Sequence, residues 1–195
     1  MLGDTAKYIG EPGLGVNAVE DAAKIISTLN ELNLKEHPDF GTGTVCTLKT
    51  EGGYEKYSVV VPESARFEVN RLLVPGESIQ YTIDDMKRMV DSLSLKSEVD
   101  VEVKPPMYEP YTSTMDEPLM KILHETYQTV LGKEPLYEHA YGITNANIFQ
   151  GEQGIPCIHI GPERGGAHQP NEHVKLEWLP PISEMYARIA LSYLD

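Results

Sequence analysis

The fold is decided by the stretch Ala65-Arg66-Phe67-Glu68-Val69-Asn70-Arg71-Leu72-Leu73, in which apolar and polar side chains alternate at first. Because successive side chains of a β-strand point to opposite faces, this pattern predicts a strand with Phe67 and Val69 on one buried face. Two more strand-like segments precede it, over residues 43–50 and 57–61, and turns rich in glycine or proline separate the three. This succession predicts an antiparallel sheet.

Amphipathic helices are predicted on both sides of these strands. The first runs from about residue 17 to residue 34 and can be capped by Asn17, with Glu20 three residues later. The second covers residues 79–95, and a fourth alternating strand is predicted over residues 99–104. The pattern indicates an α+β layer, an antiparallel sheet with two helices on one face.

Prolines at positions 105, 106 and 110 end this layer, so the predicted domains are residues 1–108 and 109–195. Helices and strands alternate in the second domain, which is typical of a parallel or mixed sheet, and the chain as a whole is therefore predicted to be α/β. The predicted elements of the second domain are, in order, a helix that Asp116 caps and Gly132 stops, a short strand near Leu136, a helix through residues 145–150, a buried strand over residues 155–160 and a helix from about Pro181.

The composition is that of an ordinary globular protein with an acidic surface. Among 195 residues, 16 are Lys or Arg and 30 are Asp or Glu, which leaves a formal net charge of −14. Such a surface repels nucleic acid and anionic membranes, so neither is an expected partner. No apolar run suits a membrane span and no signal peptide is recognised, and Cys46 and Cys157 are expected to be buried free thiols. These features favour a cytoplasmic protein.

Four stretches match the motifs of a known family in the same order. They are Gly13-Leu14-Gly15-Val16-Asn17-Ala18, then Val61-Pro62-Glu63-Ser64-Ala65-Arg66-Phe67-Glu68-Val69-Asn70-Arg71 with Pro75-Gly76-Glu77, then Gly142-Ile143-Thr144-Asn145-Ala146, and last Gly154-Ile155-Pro156 with His168, Asn171 and Glu172. On these residues the chain resembles the zinc-dependent M20 metallopeptidases and deacylases, of the glutamate carboxypeptidase, acetylornithine deacetylase and succinyl-diaminopimelate desuccinylase type. The resemblance covers nearly the whole chain.

The resemblance implies a role for each predicted domain. Residues 1–108 correspond to the family's lid, and residues 109–195 correspond to the C-terminal part of its catalytic domain. The implied activity is cleavage of an amide bond in an N-acyl amino acid or short peptide at a site with two zinc ions. Because family members carry most metal ligands and the general base ahead of the lid, the chain is expected to be a fragment, inactive alone, that needs an N-terminal catalytic segment as a partner.

The predicted lid also suggests an oligomeric state. Antiparallel sheets with exposed edge strands pair readily across a two-fold axis, which favours a homodimer. This leaves a second interpretation of the chain as a non-catalytic dimerisation or interaction module, in which the loop around His168 has lost its role.

His168 matches a metal-ligand position of the family and is the predicted zinc ligand. The resemblance further implies that Asn171 and Glu172 orient this loop through hydrogen bonds. The alternative for His168 is a loop histidine that is hydrogen-bonded to the backbone. The alternative for Glu172 is a carboxylate that faces solvent. His159 and His173 match no ligand position and are expected to be structural.

Four residues are candidates for contacts with a substrate. Lys7 occupies the position of a lid histidine that stabilises an oxyanion in many relatives, although a one-residue shift would place Tyr8 there, and a solvated lysine is the alternative. Arg71 is predicted to lie on the same strand face as Phe67 and Val69. Its guanidinium could bind a substrate carboxylate through two parallel hydrogen bonds, or else pair with an acidic residue. Thr144 and Asn145 could contact substrate or only cap a turn, and Asn145 stands where the family usually has aspartate.

Overall fold

The computed structural model describes residues 15–56 and 59–194, and the chain divides into two compact units after Pro110. Helices and small antiparallel sheets make up these units, which confirms the mixed α/β class. Among the described residues, no helix is long and apolar enough to cross a membrane. The lid and catalytic roles assigned to the two regions stay predictions, and each unit is described by itself below.

Unit 1 is built on a two-stranded antiparallel sheet that follows a short hairpin. The strands, in chain order, are β1 (Glu36–His37), β2 (Gly41–Thr42), β3 (Thr44–Gly52) and β4 (Ala65–Leu72). β1 pairs with β2, and β3 pairs with β4. β4 is the strand predicted from the alternating stretch, and Phe67 and Val69 pack against the hydrophobic core as expected.

Two helices, α1 (Ala18–Thr28) and α2 (Ile79–Ser92), share this core with the sheet. Asn17 caps α1 as predicted, because its side-chain oxygen accepts from the N–H of Val19 at 3.1 Å and from that of Glu20 at 3.3 Å. α1 ends at Thr28 and continues only as a short 3₁₀ turn, rather than reaching residue 34.

The core explains why both helices are amphipathic. Its buried members are Ile25, Leu29, Met89 and Val90, which come from α1, the turn after it and α2. The helices contact the sheet face that carries Phe67 and Val69, so the predicted α+β layer is confirmed in its essentials.

Two strands predicted for this unit are not formed as expected. Residues 99–104 form no strand; the alternation there has another cause, since Val99 and Val101 pack against the core while Lys104 pairs with Glu68 at 2.7 Å. The strand predicted over residues 57–61 lies partly outside the described residues, and residues 59–61 contain no more than a single bridge position.

A buried carboxylate ties α1 to the segment that follows α2. Asp21 is 3% exposed, and its Oδ2 accepts from the N–H groups of Lys96 and Ser97 at 2.9 Å and from the Ser97 hydroxyl at 3.0 Å. The ammonium group of Lys24 donates to Oδ1 at 2.7 Å. Burial by itself raises the pKa of Asp21, but the hydrogen bonds from Lys24, Lys96 and Ser97 outweigh it and lower the pKa from 3.8 to about 2.

The lowered pKa of Asp21 makes the stability of unit 1 fall in acid. The ionised carboxylate contributes fully above its unfolded pKa of 3.8, and the contribution is lost as the pH falls toward the folded pKa of about 2. A difference of this size corresponds to roughly 2 kcal/mol. Asp21→Asn is therefore expected to flatten the pH dependence of the urea unfolding midpoint between about pH 4 and pH 2. Asp91→Asn, at an exposed position of α2, serves as the control, and an equal slope in both variants would contradict the assignment.

Unit 2 is organised around two helices, α3 (Pro118–Leu131) and α4 (Leu179–Leu194). Leu123 of α3 packs with Ile182 and Met185 of α4 in a buried cluster. The final helix thus begins slightly before the predicted position at Pro181, and its residues Ile182, Met185 and Ile189 contribute to the core.

The ends of α3 follow local sequence signals. Gly132 adopts the left-handed conformation at φ 67° and stops the helix, as predicted. The N-terminal cap is Glu117 rather than Asp116, and its carboxylate accepts from the N–H of Thr114 at 3.1 Å.

The strands predicted near Leu136 and over residues 155–160 are wrong. Among the described residues of unit 2, the only sheet is the hairpin of β5 (Arg164–Gly165) and β6 (His173–Val174), so the predicted parallel or mixed sheet is not formed there. Leu136 is 83% exposed. The helix predicted over residues 145–150 is a π-helical turn at Asn147–Glu152.

Candidate functional site

The predicted metal ligand lies in the loop of the β5–β6 hairpin, residues 166–172. His168 has φ 60° and Asn171 has φ 68°, in the left-handed region that non-glycine residues seldom adopt. A backbone hydrogen bond of 2.9 Å from Gln169 to Gly166 tightens the turn. His168 is an exposed residue of this constrained loop.

A second histidine packs beneath the same turn. A Cβ atom at Gly165 would lie 2.8 Å from Cε1 of His173, so glycine is required for the ring to pack there. Nδ1 of His173 lies 3.0 Å from the carbonyl oxygen of Asn171. These contacts give His173 a structural role in shaping the loop.

An ion pair joins the residues that flank the hairpin. Nζ of Lys175 lies 2.6 Å from Oε1 of Glu163, and the N–H of Lys175 donates to the Glu163 carbonyl at 3.2 Å. The hydrogen bond from Lys175 lowers the pKa of Glu163, and the bond to Glu163 raises the pKa of Lys175. Both side chains are exposed, so this pair aligns the hairpin ends without adding much stability.

The residues around His168 do not by themselves fit a zinc centre. No group of three or more His, Cys, Asp or Glu side chains that could hold a metal occurs in the described ranges 15–56 and 59–194. A catalytic zinc usually takes three protein ligands, so one imidazole is insufficient. Glu172 is exposed, and Asn171 uses its backbone carbonyl to contact His173.

A second polar cluster forms around Thr144, one of the predicted substrate residues. Oγ1 of Thr144 lies 3.0 Å from Nε2 of His159 and accepts from the N–H of Ala146 at 3.2 Å. The N–H of Thr144 donates to Oδ1 of Asn147 at 2.9 Å. Asn145, next in the chain, is exposed.

The contact between His159 and Thr144 does not follow from the sequence pattern. From the sequence, His159 is expected to be only structural, because it matches no metal-ligand position. The sequence feature that bears on this contact is the alternation around His159. Ile158 and Ile160 pack against the α3–α4 core, so the side chain of His159 between them is expected on the opposite face.

Tyr111 borders the same cluster. Burial raises the pKa of the Tyr111 phenol, the neighbouring Cys157 thiol raises it further, and a hydrogen bond with Thr144 acts in the opposite direction. A half-buried phenol with a raised pKa remains a neutral hydroxyl at physiological pH, so it can serve as a hydrogen-bond donor.

The side chain of Gln150 anchors the segment that carries His159. Oε1 of Gln150 accepts from the N–H of Cys157 at 2.9 Å and from the Ser113 hydroxyl at 3.0 Å. The hydrogen bond to this amide ties Cys157 to the π-helical turn. It therefore limits the movement of His159, two residues later.

The two remaining predicted site residues belong to the first part of the chain. The side chain of Arg71 is only 5% exposed, and its two terminal nitrogens contact Glu77 at 3.0 Å and Asp85 at 2.9 Å. This geometry favours an ion pair with acidic residues of the protein over a guanidinium that is free to bind a substrate carboxylate. Lys7, together with Tyr8, lies outside the described residues.

Residues 4–192 match the family model for peptidase family M20/M25/M40. Among curated relatives, the uncharacterized protein YgeY of Escherichia coli K12 is 27% identical over 94% of this chain and 49% of its own length. Succinyl-diaminopimelate desuccinylase 1 of Alteromonas mediterranea is 21% identical over 95% of this chain and 47% of its own length. The chain thus spans about half the length of the curated relatives it matches.

Solved structures show the same fold. The aminopeptidase PepT of Bacillus cereus superposes with a TM-score of 0.72 at 23% identity, over 96% of this chain and 48% of that one. The M20 metallo-carboxypeptidase Sso-CP2 of Sulfolobus solfataricus gives a TM-score of 0.63 at 18% identity, over 96% of this chain and 56% of that one.

Proposed function

Because the chain belongs to peptidase family M20/M25/M40, we propose that it forms part of a metal-dependent amidohydrolase or peptidase. The observation that carries this proposal is His168, an exposed imidazole on a conformationally restricted hairpin loop inside the matched region. A ligand held in this way would lose little conformational freedom on binding a metal. The proposed substrates are N-acyl amino acids and short peptides, since the relatives are named as desuccinylases, an aminopeptidase and a tripeptidase.

The proposed division of labour follows from the residues that the loops present. His168 would be one ligand of a zinc site completed by other residues, and a zinc ion held there would supply Lewis-acid chemistry for amide hydrolysis. Asn171 and Glu172 would orient the loop, and Thr144 and Asn145 would contact the substrate. Lys7, as an oxyanion donor, and Arg71, as a carboxylate fork, stay predictions, as does a cytoplasmic location.

The remaining ligands are proposed to come from a further polypeptide segment that packs on unit 2. Most of the large apolar side chains that are exposed belong to this unit, among them Leu136 (83%), Leu176 (76%), Leu191 (67%) and Leu194 (84%). Exposed apolar side chains that lie together are typical of a surface that packs against another polypeptide. The unpaired segment 155–160 supports the same proposal, because its apolar pattern is that of a strand and it has no sheet partner in the described chain.

Zinc binding by the isolated chain is expected to be weak and to depend on His168, since a single imidazole provides only one ligand. Calorimetric titration of the wild type should show this weak binding, and His168→Ala should abolish it. His37→Ala, on the β1–β2 hairpin of unit 1, is the matched control and should bind as the wild type does. Tight one-to-one binding by the isolated chain, or binding that survives in His168→Ala, would contradict the assignment. With zinc present, the isolated chain is expected to hydrolyse neither an N-acyl amino acid nor a tripeptide.

The competing proposal, a non-catalytic dimerisation module, is favoured by one observation in unit 1. β3 is nine residues long and, among the described residues, pairs only with β4, so its other edge offers backbone groups for pairing. A homodimer formed through this edge is compatible with either function. Light scattering is expected to give twice the monomer mass, and a monomer at high concentration would count against the dimer.

A further inference from the structure

The hydroxyl of Thr144 is contacted by groups from separate segments of unit 2. Oγ1 lies 3.0 Å from Nε2 of His159, accepts from the N–H of Ala146 at 3.2 Å, and interacts with the Tyr111 phenol. A threonine hydroxyl has one proton to donate and two lone pairs to accept with, and the contacts with His159 and Ala146 restrict its rotation. The hydroxyl therefore has a defined direction rather than rotating freely.

The backbone around His159 is held independently of this contact. The N–H of Cys157 donates to Gln150 at 2.9 Å, and the Tyr186 hydroxyl donates to the carbonyl oxygen of Ile160. Ile158 and Ile160 pack against the α3–α4 core on the opposite face. The imidazole thus projects from a fixed segment, and Nε2 is its contact with the loop that carries Thr144.

Backbone hydrogen bonds hold this loop as well, including those from the N–H groups of Ile148 and Phe149 to the carbonyl oxygen of Asn145 at 3.1 and 3.2 Å. The N–H of Thr144 donates to Oδ1 of Asn147 at 2.9 Å, and the N–H of Asn147 donates to the Thr144 carbonyl at 3.1 Å. These bonds link Thr144 to the π-helical turn but leave its side chain to be oriented by other groups. The contact of its hydroxyl with His159 joins this loop to a position fifteen residues later in the chain.

We infer that His159 is a positioning residue of the proposed substrate site. Its Nε2 holds the Thr144 hydroxyl and thereby fixes residues 144–146 in the orientation that meets an N-acyl amino acid or short peptide. The inference rests on the proposed function, because it takes Thr144 and Asn145 as substrate contacts. The Thr144–His159 bond itself can be tested without any enzymatic activity.

The first test measures the bond in the chain as it exists. His159→Leu removes the ring nitrogen, and hydrogen exchange of the Ala146 amide, which donates to Thr144, is expected to speed up by roughly two- to tenfold, the range for one neutral hydrogen bond. His159→Gln places an amide group near the Nε2 position and is expected to restore slow exchange. The Gln169 amide, in the hairpin loop, is the internal control and should not change.

The reciprocal measurement uses the ring as the reporter. In Thr144→Val, which keeps the side-chain shape but removes the hydroxyl, the ¹⁵N resonance of His159 Nε2 is expected to shift, whereas Thr144→Ser should preserve it. Unchanged Ala146 exchange in His159→Leu, or an unchanged Nε2 resonance in Thr144→Val, would overturn the inference. Fluorescence of Trp178 checks that unit 2 remains folded in each variant.

The positioning role is then tested by hydrolysis in an assembly that contains the remaining metal ligands. His159→Leu is expected to raise KM by roughly two- to tenfold with little change in kcat, and His159→Gln should reverse most of this effect. The double variant with Thr144→Val should be no worse than either single variant, since both remove the same bond. Additive losses, or a loss confined to kcat, would overturn the positioning role.

An assembly that hydrolyses neither substrate class would overturn the proposed function and, with it, the positioning role. The hydrogen bond between Thr144 and His159 would still be tested by the exchange and resonance measurements, which need no enzymatic activity.

Discussion

Replacing Glu77 with glutamine is expected to lower the free energy of unfolding of unit 1 by roughly 3 kcal/mol. Glu77 and Arg71 form an ion pair at 3.0 Å in which the two side chains are only 1% and 5% exposed. Removing one charge of a buried pair leaves the other charge without full compensation in a region that water does not reach. The free-energy cost is several times larger than the stabilisation that an exposed ion pair provides. The second oxygen of Glu77 also accepts from the N–H of Val74 at 3.0 Å.

Hydrogen exchange of the β4 amides is the appropriate measurement, because it reports on unit 1 alone. The matched control is Glu51→Gln in the same unit, where the carboxylate pairs with Lys49 at 2.6 Å but both side chains are more than half exposed. This control is expected to leave the exchange of β4 unchanged, since solvent screens the pair. Equal effects of the two substitutions would show that the buried pair does not stabilise the unit.

The same network bears on the predicted substrate role of Arg71. Besides Glu77, the guanidinium contacts Asp85 at 2.9 Å, so both terminal nitrogens already have carboxylate partners. Within the described residues, Nε of Arg71 is buried without a hydrogen-bond partner. A substrate carboxylate would have to displace a protein carboxylate from a buried site, and the structure therefore favours a stabilising role for this residue.

Replacing Met185 with alanine is expected to destabilise unit 2 by about 2–5 kcal/mol. Met185 is fully buried between α3 and α4, where it packs with Leu123 and Ile182. The truncation removes apolar surface from the core and leaves a cavity that the two helices cannot close without moving. Because the α3–α4 core underlies the segment with His159, loosening it is expected to affect the Thr144 cluster as well.

Urea unfolding followed by tryptophan fluorescence measures this effect directly. The chain has one tryptophan, Trp178, and it packs against the same core. Leu191→Ala on α4 is the control, since Leu191 is 67% exposed and its truncation should change the free energy of unfolding by less than about 0.5 kcal/mol. A Met185→Ala midpoint that coincides with that of Leu191→Ala would contradict the assignment of the core.

Local signals in the sequence predicted the parts of the fold that depend on neighbouring residues. Asn17 caps α1 and Gly132 ends α3, because a cap or a left-handed stop is determined by backbone groups within a few positions. The alternation in β4 likewise identified its buried face through Phe67 and Val69. Family motifs added His168, whose role as a metal ligand stays a prediction.

Pairing between distant segments could not be predicted in the same way. Residues 99–104 show the alternation typical of a strand, and residues 155–160 show the apolar pattern of one. A strand also requires a partner strand, whereas a sequence pattern predicts only which side chains face a core. In each segment two apolar side chains pack against the core of their unit, Val99 and Val101 in the first and Ile158 and Ile160 in the second, while the backbone remains outside any sheet of the described residues.

Sequence patterns alone therefore predicted the four α-helices, the cap at Asn17, the stop at Gly132, the buried face of β4 and the family motifs, because each depends on residues close together in the chain. Three contacts depend on the folded chain: Arg71 pairs with Glu77 and Asp85, Asp21 accepts hydrogen bonds from residues 75 and 76 positions away, and His159 lies within hydrogen-bond distance of Thr144. These contacts arise when packing of apolar faces brings polar groups together, and each buried polar group then takes the partners within its reach.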